Sequence, residues 1–363
     1  MDIREATWGF EKWMATHTRL VKADLIFKHR LEAESPFLFL RGTFYRWVQL
    51  WKEVCAGLAA APRVLAVGDL HIENFGTWRD IEGRLIWGVN DFDEACPAAY
   101  TIDLVRLATS ARLAGQEGHL SIRARGACDA ILEGYTAGIR AGGRPLVLGE
   151  RHRWLREIAL HQLHDPALFW QKMDNLPAAR GRIPREVRRA LEELMPERGL
   201  PYAIKHRVAG LGSLGHQRLV AVADWRGGHV AREAKALVPA AFVWARGLIS
   251  ASRLHYSEIV RRAVRVPDPF VRLRGDWIVR RLAPDCSRVE LTSLPKIQDE
   301  ARLLHSMGWE TANVHLGSRS AIRAVERDLN ERRGNWLHRS AKAMAKVVIQ
   351  DYKQWRKFYR AGV

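Results

Sequence analysis

Apolar residues recur every three or four positions through residues 4–33 (Trp8, Phe10, Trp13, Met14, then Leu20, Val21, Leu25 and Ile26), which predicts one or two amphipathic helices. Pro36, within ESPFLFLRGTFYRW, is expected to break that helix, and the aromatic-rich run then continues helically through Trp51 to Leu58. The period changes at VLAV and LIWGV, two short apolar runs of strand character joined by a polar turn. From Thr101 the helical pattern returns and runs to about Gly142, is punctuated by RPLVLGERHRW, and resumes to about residue 197. At Pro201 the character changes again. YAIKHRVA, RLVAVADW and HVAREAKAL alternate as strands, separated by the glycine-rich turn GLGSLG and by Gly227-Gly228. A helical stretch, FVWARGLISASRLHYSEIVRRA, and a strand hairpin, PFVRLRGDWIVRRLAP, lead to a hinge near Ala283 to Ser287. KIQDEARLLHSMGWETANVHLG and NWLHRSAKAMAKVVIQDYKQWRKFY close the chain as helices. The predicted class is therefore α+β, with a mostly helical part over 1–199, a small antiparallel sheet over 200–287, and helices over 288–363 that return to the first part.

Candidate chemistry concentrates between Val67 and Arg106. Eight acidic residues (Asp69, Glu73, Asp80, Glu82, Asp91, Asp93, Glu94, Asp103) stand there against three basic ones (Arg79, Arg84, Arg106), in a chain whose formal charge is +18. VLAV delivers Asp69, with Asn74 five residues later; LIWGV delivers Asp91 and Asp93. Two strand ends thus present hard oxygen donors side by side, a set that suits Mg²⁺, which usually takes one or two protein carboxylates and completes its shell with water and phosphate oxygens.

The order D-x-x-x-x-N, strand, D-F-D is that of a kinase catalytic loop and its metal-binding Asp. GDLHIENF resembles the GDLHxxN loop of aminoglycoside and choline phosphotransferases, and NDFDEA resembles their later I-D-x-x-x-A segment. The resemblance implies that Asp69 orients or deprotonates an attacking hydroxyl, that Asn74 and Asp91 hold metal, and that Asp93 assists. Asp103 resembles the Asp that braces the catalytic loop from behind. His71 is expected to brace the loop by hydrogen bonding, since a metal-ligand role would call for soft or imidazole ligands nearby.

Gly210, Gly212 and Gly215, with Ser213 between them, open a hairpin rather than a helix, so they fit the phosphate-covering loop of kinases better than a dinucleotide fingerprint. One hairpin later stand Arg232 and Lys235, either of which occupies the region where a kinase places its phosphate-pairing Lys. Strand alternation puts the two on opposite faces, and Lys235 is favoured as the usual residue type. Glu258 is the candidate ion-pair partner on the following helix. His216 is expected to be a loop-tip residue, and Arg41 either reaches a phosphate or forms a buried ion pair.

The catalytic loop at residue 69 precedes the glycine turn at 210, the reverse of the usual kinase order. The residues before Asp69 are mainly helical, so no sheet lobe is hidden there. A circularly permuted, two-lobe protein-kinase-like fold resolves the order, because domain termini often lie close together. SPFLFLRG, GDLHIENFG, NDFDEA with DLVRLATS, GLGSLG with REAKA, VRRLAPD and LLHSMGWETANVH together resemble a bacterial family known only as domain of unknown function twenty-two fifty-two, placed among kinase-like folds. That family usually has K-E-A where this chain has Arg232-Glu233-Ala234, and Arg does not substitute for Lys in geometry.

These features make a Mg²⁺-assisted, ATP-dependent phosphotransferase with an unidentified hydroxyl acceptor the expected activity. A nucleotidyl transferase on the same fold, moving AMP, is the alternative, and a non-catalytic nucleotide- or nucleic-acid-binding module is the third possibility. The charge of +18 points to an anionic partner, with non-specific nucleic acid the obvious candidate, but the arginine-rich segments read first as solvated helix faces and no nucleic-acid-binding motif is present. Cys55, Cys96, Cys128 and Cys286 are scattered and show no zinc or disulfide framework. No signal peptide and no run of 18 apolar residues is present, so the chain is expected to be cytoplasmic and without a membrane partner.

Overall fold

The computed structural model of the protein describes residues 1–149, 151–161, 165–247, 253–286 and 300–362. It is α+β, 51% helix and 15% strand, and every strand pairs antiparallel within a small sheet.

The first helix, Ile3–Met14, starts at a reciprocal cap in which the Asp2 carboxylate accepts the Glu5 amide and Glu5 accepts the Asp2 amide. Lys22–Glu32 follows. Pro36 does not merely interrupt the helical pattern but starts a new helix, Pro36–Gly42, capped by Ser35. Proline is tolerated in a first turn because its missing N–H has no intrahelical partner to lose. Phe44–Val54 and Ala56–Ala59 complete the N-terminal helices.

The two expected strands are β1 (Arg63–Ala66) and β3 (Leu85–Val89), and two more were hidden between and after them. β2 (Phe75–Arg79) lies in what the sequence presents as a polar turn and pairs with β3; β4 (Cys96–Ala99) pairs with β1. FGTWR lacks clean alternation because four of its five positions are buried, so period-two patterning could not announce it. β5 (Leu146–Val147) adds a short edge to β3. The long helical region splits into Thr101–Gln116 and Ala124–Arg140, with Gly118 at φ 79° just beyond the end of the first. Ala124–Arg140 packs against Glu300–His315 at glycine contacts: a Cβ on Gly134 would lie 1.9 Å from the His305 carbonyl oxygen, and one on Gly308 2.1 Å from that of Ile131.

The second sheet contains β6 (Ala203–His206), β7 (Arg218–Trp225), β8 (Gly228–Ala236), β9 (Arg272–Arg274) and β10 (Trp277–Leu282), in the order β6-β7-β8-β10-β9. Alternation along β7 and β8 gives the sheet two apolar faces. Helix Arg185–Glu193 covers Leu219, Ala221, Ala234 and Val279 on one face, while Pro166–Asp174 covers Val220, Val222 and Ala231 on the other.

The expected helix over residues 242–263 is represented by two short ones, Ala241–Ala245 and Tyr256–Arg262, with residues 248–252 outside the described residues. Phe242, Tyr256 and Ile259 join the main core rather than the five-stranded sheet. Glu258 accordingly pairs with Arg253, His255 and Arg262, not with a residue of β8. Of the expected hinge, Ala283 to Cys286 follow β10; Ser287 and the 287/288 boundary lie outside the described residues. Thr77 Oγ1 donates to the Asp285 carbonyl at 3.0 Å and Arg79 pairs with its carboxylate, so the end of β10 is tied to β2. Among the described residues no helix is long and apolar enough to cross a membrane.

Candidate functional site

β1 ends at Ala66 and hands the chain to Val67, Gly68 and Asp69. Gly68 adopts φ 87°, and a Cβ there would stand 2.4 Å from the Glu94 carbonyl oxygen, so the turn requires glycine. Asp103 secures the turn from behind by accepting the Val67 and Gly68 amides at 2.7 and 2.9 Å. His315 Nε2 lies 2.9 Å from the same carboxylate, and Tyr135 Oη 2.9 Å from His315 Nδ1.

Asp69 is held by Arg106, whose Nε and Nη2 donate to Oδ1 at 3.0 and 2.6 Å. Arg106 is fully buried, donates also to the Leu40 carbonyl, and rests against the Phe44 and Trp47 rings. Burial raises the Asp69 pKa above the usual carboxylate range, and Arg106 opposes the shift. Asn74 joins the two loops: its Nδ2 donates to the backbone oxygens of Asp69 and Asp91 at 3.0 and 3.2 Å. Its Oδ1 is buried with no protein hydrogen-bond partner. His71 Nδ1 accepts the Glu73 amide at 3.2 Å, a bracing bond within the loop.

After β3, the Asp93 amide donates to Asp91 Oδ1. Lys235 reaches across from β8, with its Nζ 2.5 Å from Asp93 Oδ2 and 3.5 Å from Asp91 Oδ1. Burial raises the Asp93 pKa to about 7; the Asp91 charge adds to the rise and Lys235 opposes it. Glu94 accepts the Ala241 amide at 2.6 Å and is pushed up to about 8 by burial.

The glycine turn closes over this group. Gly210 (φ 75°) and Gly215 (φ 98°) flank a single 3₁₀ turn, Leu211–Ser213. A Cβ on Gly212 would lie 3.4 Å from Asp69 Oδ2. Ser213 Oγ accepts from Arg218 Nη2 at 2.8 Å. Helix Lys22–Glu32 holds the turn down: the Val21 amide donates to the Gly215 carbonyl at 2.8 Å and Lys28 Nζ to that of Gly212 at 3.2 Å. The result is a cavity of about 60 Å³ bordered by Asp69, His71, Asn74, Asp91, Asp93, Gly210, Gly212 and Ser213. Arg41, Gly210 and Leu211 also border a neighbouring cleft of about 400 Å³ between β7, β10, β2 and helix Tyr256–Arg262.

The residues singled out in the two loops and the glycine turn therefore face one cavity, with Gly215 at the end of the turn. Lys235 and Arg232 part company. Arg232 turns to the other face of the sheet, donates to the Leu194 carbonyl and stands over the Phe270 ring. Arg41 forms an ion pair with Glu73 at 2.5 Å. His216 is not at a loop tip: it is buried, 3.2 Å from the Ala236 carbonyl oxygen and 3.4 Å from Met14 Sδ. Burial, with Lys28 and Lys235 nearby, depresses its pKa to about 3. Lys28 was not singled out from the sequence, and Arg106 and Glu94 were counted among the charges of the candidate stretch without a role. Arg106 alone had a local signal, lying three residues after Asp103 and so on the same side of its helix.

The donors fit a Mg²⁺ ion. Among the described residues no three His, Cys, Asp or Glu side chains form a metal cluster by themselves. Mg²⁺ asks for less than that from protein, and the unpartnered Asn74 Oδ1 beside Asp91 and Asp93 is the kind of oxygen it takes.

No curated protein and no solved structure matches the chain. Residues 19–168, which include everything from Lys22–Glu32 through Asp103 but neither the glycine turn nor Lys235, are similar to the family described as an uncharacterized protein conserved in bacteria (DUF2252).

Proposed function

We propose that the protein is an ATP-dependent, Mg²⁺-assisted transferase of the kinase-like kind, in which a hydroxyl acceptor attacks a phosphorus atom of the nucleotide. The observation that carries this reading is the meeting of Asp69, Asn74, Asp91 and Asp93 with Lys235 beneath a glycine turn. The glycine turn joins the first two strands of the five-stranded sheet and Lys235 stands on the third, as the phosphate-covering loop and phosphate-pairing Lys do in kinases. On this reading the chain is circularly permuted, with the catalytic loop before the sheet lobe.

Each residue then has a task. Arg106 occupies Asp69 Oδ1 and fixes the carboxylate, so Oδ2, on the side of Gly212, receives the acceptor proton. Its raised pKa makes it a stronger base than an exposed Asp. Asn74 locks the two acidic loops in register through its two Nδ2 bonds, and Asp103 with His71 keeps the first loop in place. A bound Mg²⁺, held by Asn74, Asp91 and Asp93, supplies charge neutralisation for the phosphate oxygens. Lys235, freed from Asp93, turns to a phosphate. Closure of the glycine turn keeps water out of the reacting centre. Phosphoryl and nucleotidyl transfer use the same set of side chains.

Thermal-shift titration with ATP, ADP and GTP, with and without Mg²⁺, tests the reading. Binding to the native state at 100 times Kd raises apparent stability by about 2.7 kcal/mol. A Mg²⁺-dependent shift is expected, abolished in Asp91→Ala and strongly weakened in Lys235→Ala but retained in Arg232→Ala. Absence of any shift on folded protein at millimolar nucleotide overturns it.

A further inference from the structure

The larger cleft beside the acidic cavity sets an arginine cluster next to aromatic and aliphatic side chains that include Phe92, Phe169, Tyr256 and Leu282. Its wall on the sheet is a charged cluster: Glu233, fully buried on β8, accepts from Arg218 Nη1 at 2.9 Å and pairs with Arg280 Nη2 at 2.8 Å and with Arg207. One carboxylate faces three guanidinium groups, so two positive charges are unmatched within the cluster. The Arg207 and Arg280 side chains retain 22% and 26% of their exposure and border the cleft. Lys172, Arg265 and Arg281 border it as well, with Asp268 the single carboxylate among the described lining residues. The Nε atom of Arg265 is buried without a hydrogen-bond partner, whereas the Arg281 side chain shares the Arg232 face of the sheet, over the Phe270 ring. Arginine presents forked donors that match phosphate, and unpaired buried donors are costly to leave beside a neutral ring.

The opposite end has the opposite sign. Asp69, Asp91, Asp93 and Glu94 all border the small cavity. A nucleotide oriented as in ordinary kinases would set its base against the arginines and its whole triphosphate over the carboxylates. The reverse orientation places one phosphate at the acidic centre and the other two among the arginines, which matches charge at both ends.

We propose, resting on the nucleotide-dependent reading above, that the nucleotide lies reversed in the cleft, with its β- and γ-phosphates on Arg207, Arg218 and Arg280, and that the group transferred is the nucleotidyl moiety. The acceptor oxygen forms a bond to the α-phosphorus as the bond from that phosphorus to the α,β-bridging oxygen breaks. Pyrophosphate leaves with the electron pair, and the acceptor proton passes to Asp69 Oδ2 and then to solvent. Acceptor and nucleoside triphosphate give nucleotidylated acceptor and pyrophosphate.

The test compares ATP with AMP on wild type, Arg280→Gln and Arg207→Gln, each first shown folded by urea unfolding. The reversed orientation predicts that either variant weakens Mg²⁺-ATP at least 10-fold while AMP changes less than 2-fold, and that inorganic tripolyphosphate competes with ATP on wild type but not on the variants. Equal losses for ATP and AMP place the base against the arginines and overturn the proposal, as does unchanged ATP affinity. With Mg²⁺-ATP and water as the sole acceptor, AMP and pyrophosphate are the expected slow products, and ADP with phosphate overturns it. Failure of the underlying reading looks different: no nucleotide then binds wild type at all.

Discussion

Asp103 is the residue on which the geometry of the turn that carries Asp69 depends most directly, and its replacement by Asn isolates that dependence with almost no change in shape. Three donors converge on its carboxylate: the Val67 and Gly68 amides at 2.7 and 2.9 Å, and His315 Nε2 at 2.9 Å. Asp103 and His315 are both wholly buried, so no water replaces a lost partner. In Asp103→Asn the remaining carbonyl oxygen serves one loop amide, and the new NH₂ group opposes the other. His315 can adapt by exchanging its tautomer, since Tyr135 Oη can donate to or accept from Nδ1. One backbone N–H is left facing a donor, at a cost of about 1–3 kcal/mol, and hydrogen bonds to a charged acceptor become neutral ones, each losing about 1 kcal/mol. We expect a total loss of about 2–4 kcal/mol on this accounting. Tyr135→Phe, which removes only the outermost bond of the chain, should cost about 1 kcal/mol. Urea unfolding at constant m gives both values. If Asp103→Asn lies within about 0.5 kcal/mol of wild type, the range of ordinary surface substitutions, the carboxylate is not what holds the loop and the reasoning fails.

Two further outcomes follow from burial. Glu32 is buried, its carboxyl pushed up to about 7 by desolvation and only partly offset by Lys28 and His29. A raised carboxyl pKa means that the folded state binds the extra proton, so this stabilisation is complete below about pH 4.5 and is lost as pH rises through about 7. Glu32→Gln should therefore show a flatter fall in urea midpoint between pH 5 and 8 than wild type; parallel curves would contradict it. Gly308→Ala, in the middle of helix Glu300–His315, should destabilise by about 1–3 kcal/mol through overpacking despite alanine's better helix propensity, because its Cβ meets the Ile131 carbonyl at 2.1 Å. Gly126→Ala, whose Cβ meets nothing nearer than 3.5 Å, should instead gain about 0.5–1 kcal/mol, and thermal melting compares the two.

Local chemistry was readable along the chain wherever one short segment decides it. The strand ends that present Asp69 and Asp91, the glycines at positive φ, and the opposite facing of Arg232 and Lys235 follow from spacing and backbone sterics over a few residues. Folding decided what lies across from each side chain. Alternation separates Arg232 from Lys235, but only the packing of helix Arg185–Glu193 on one face of β8 turns Arg232 away from the cleft and leaves Lys235 to reach Asp93. The Asp69–Arg106 pair spans 37 residues and the Asp103–His315 contact 212, separations at which periodicity carries no information. His216 looked like a loop tip because it directly follows Gly215, and helix Ile3–Met14 buried it. Glu233 offered no local sign of its three arginines, since β6, β7 and β10 bring them in from separate strands and strand ends. A strand's period states which side chains share a face; the elements that fold onto that face determine which charges must be matched there.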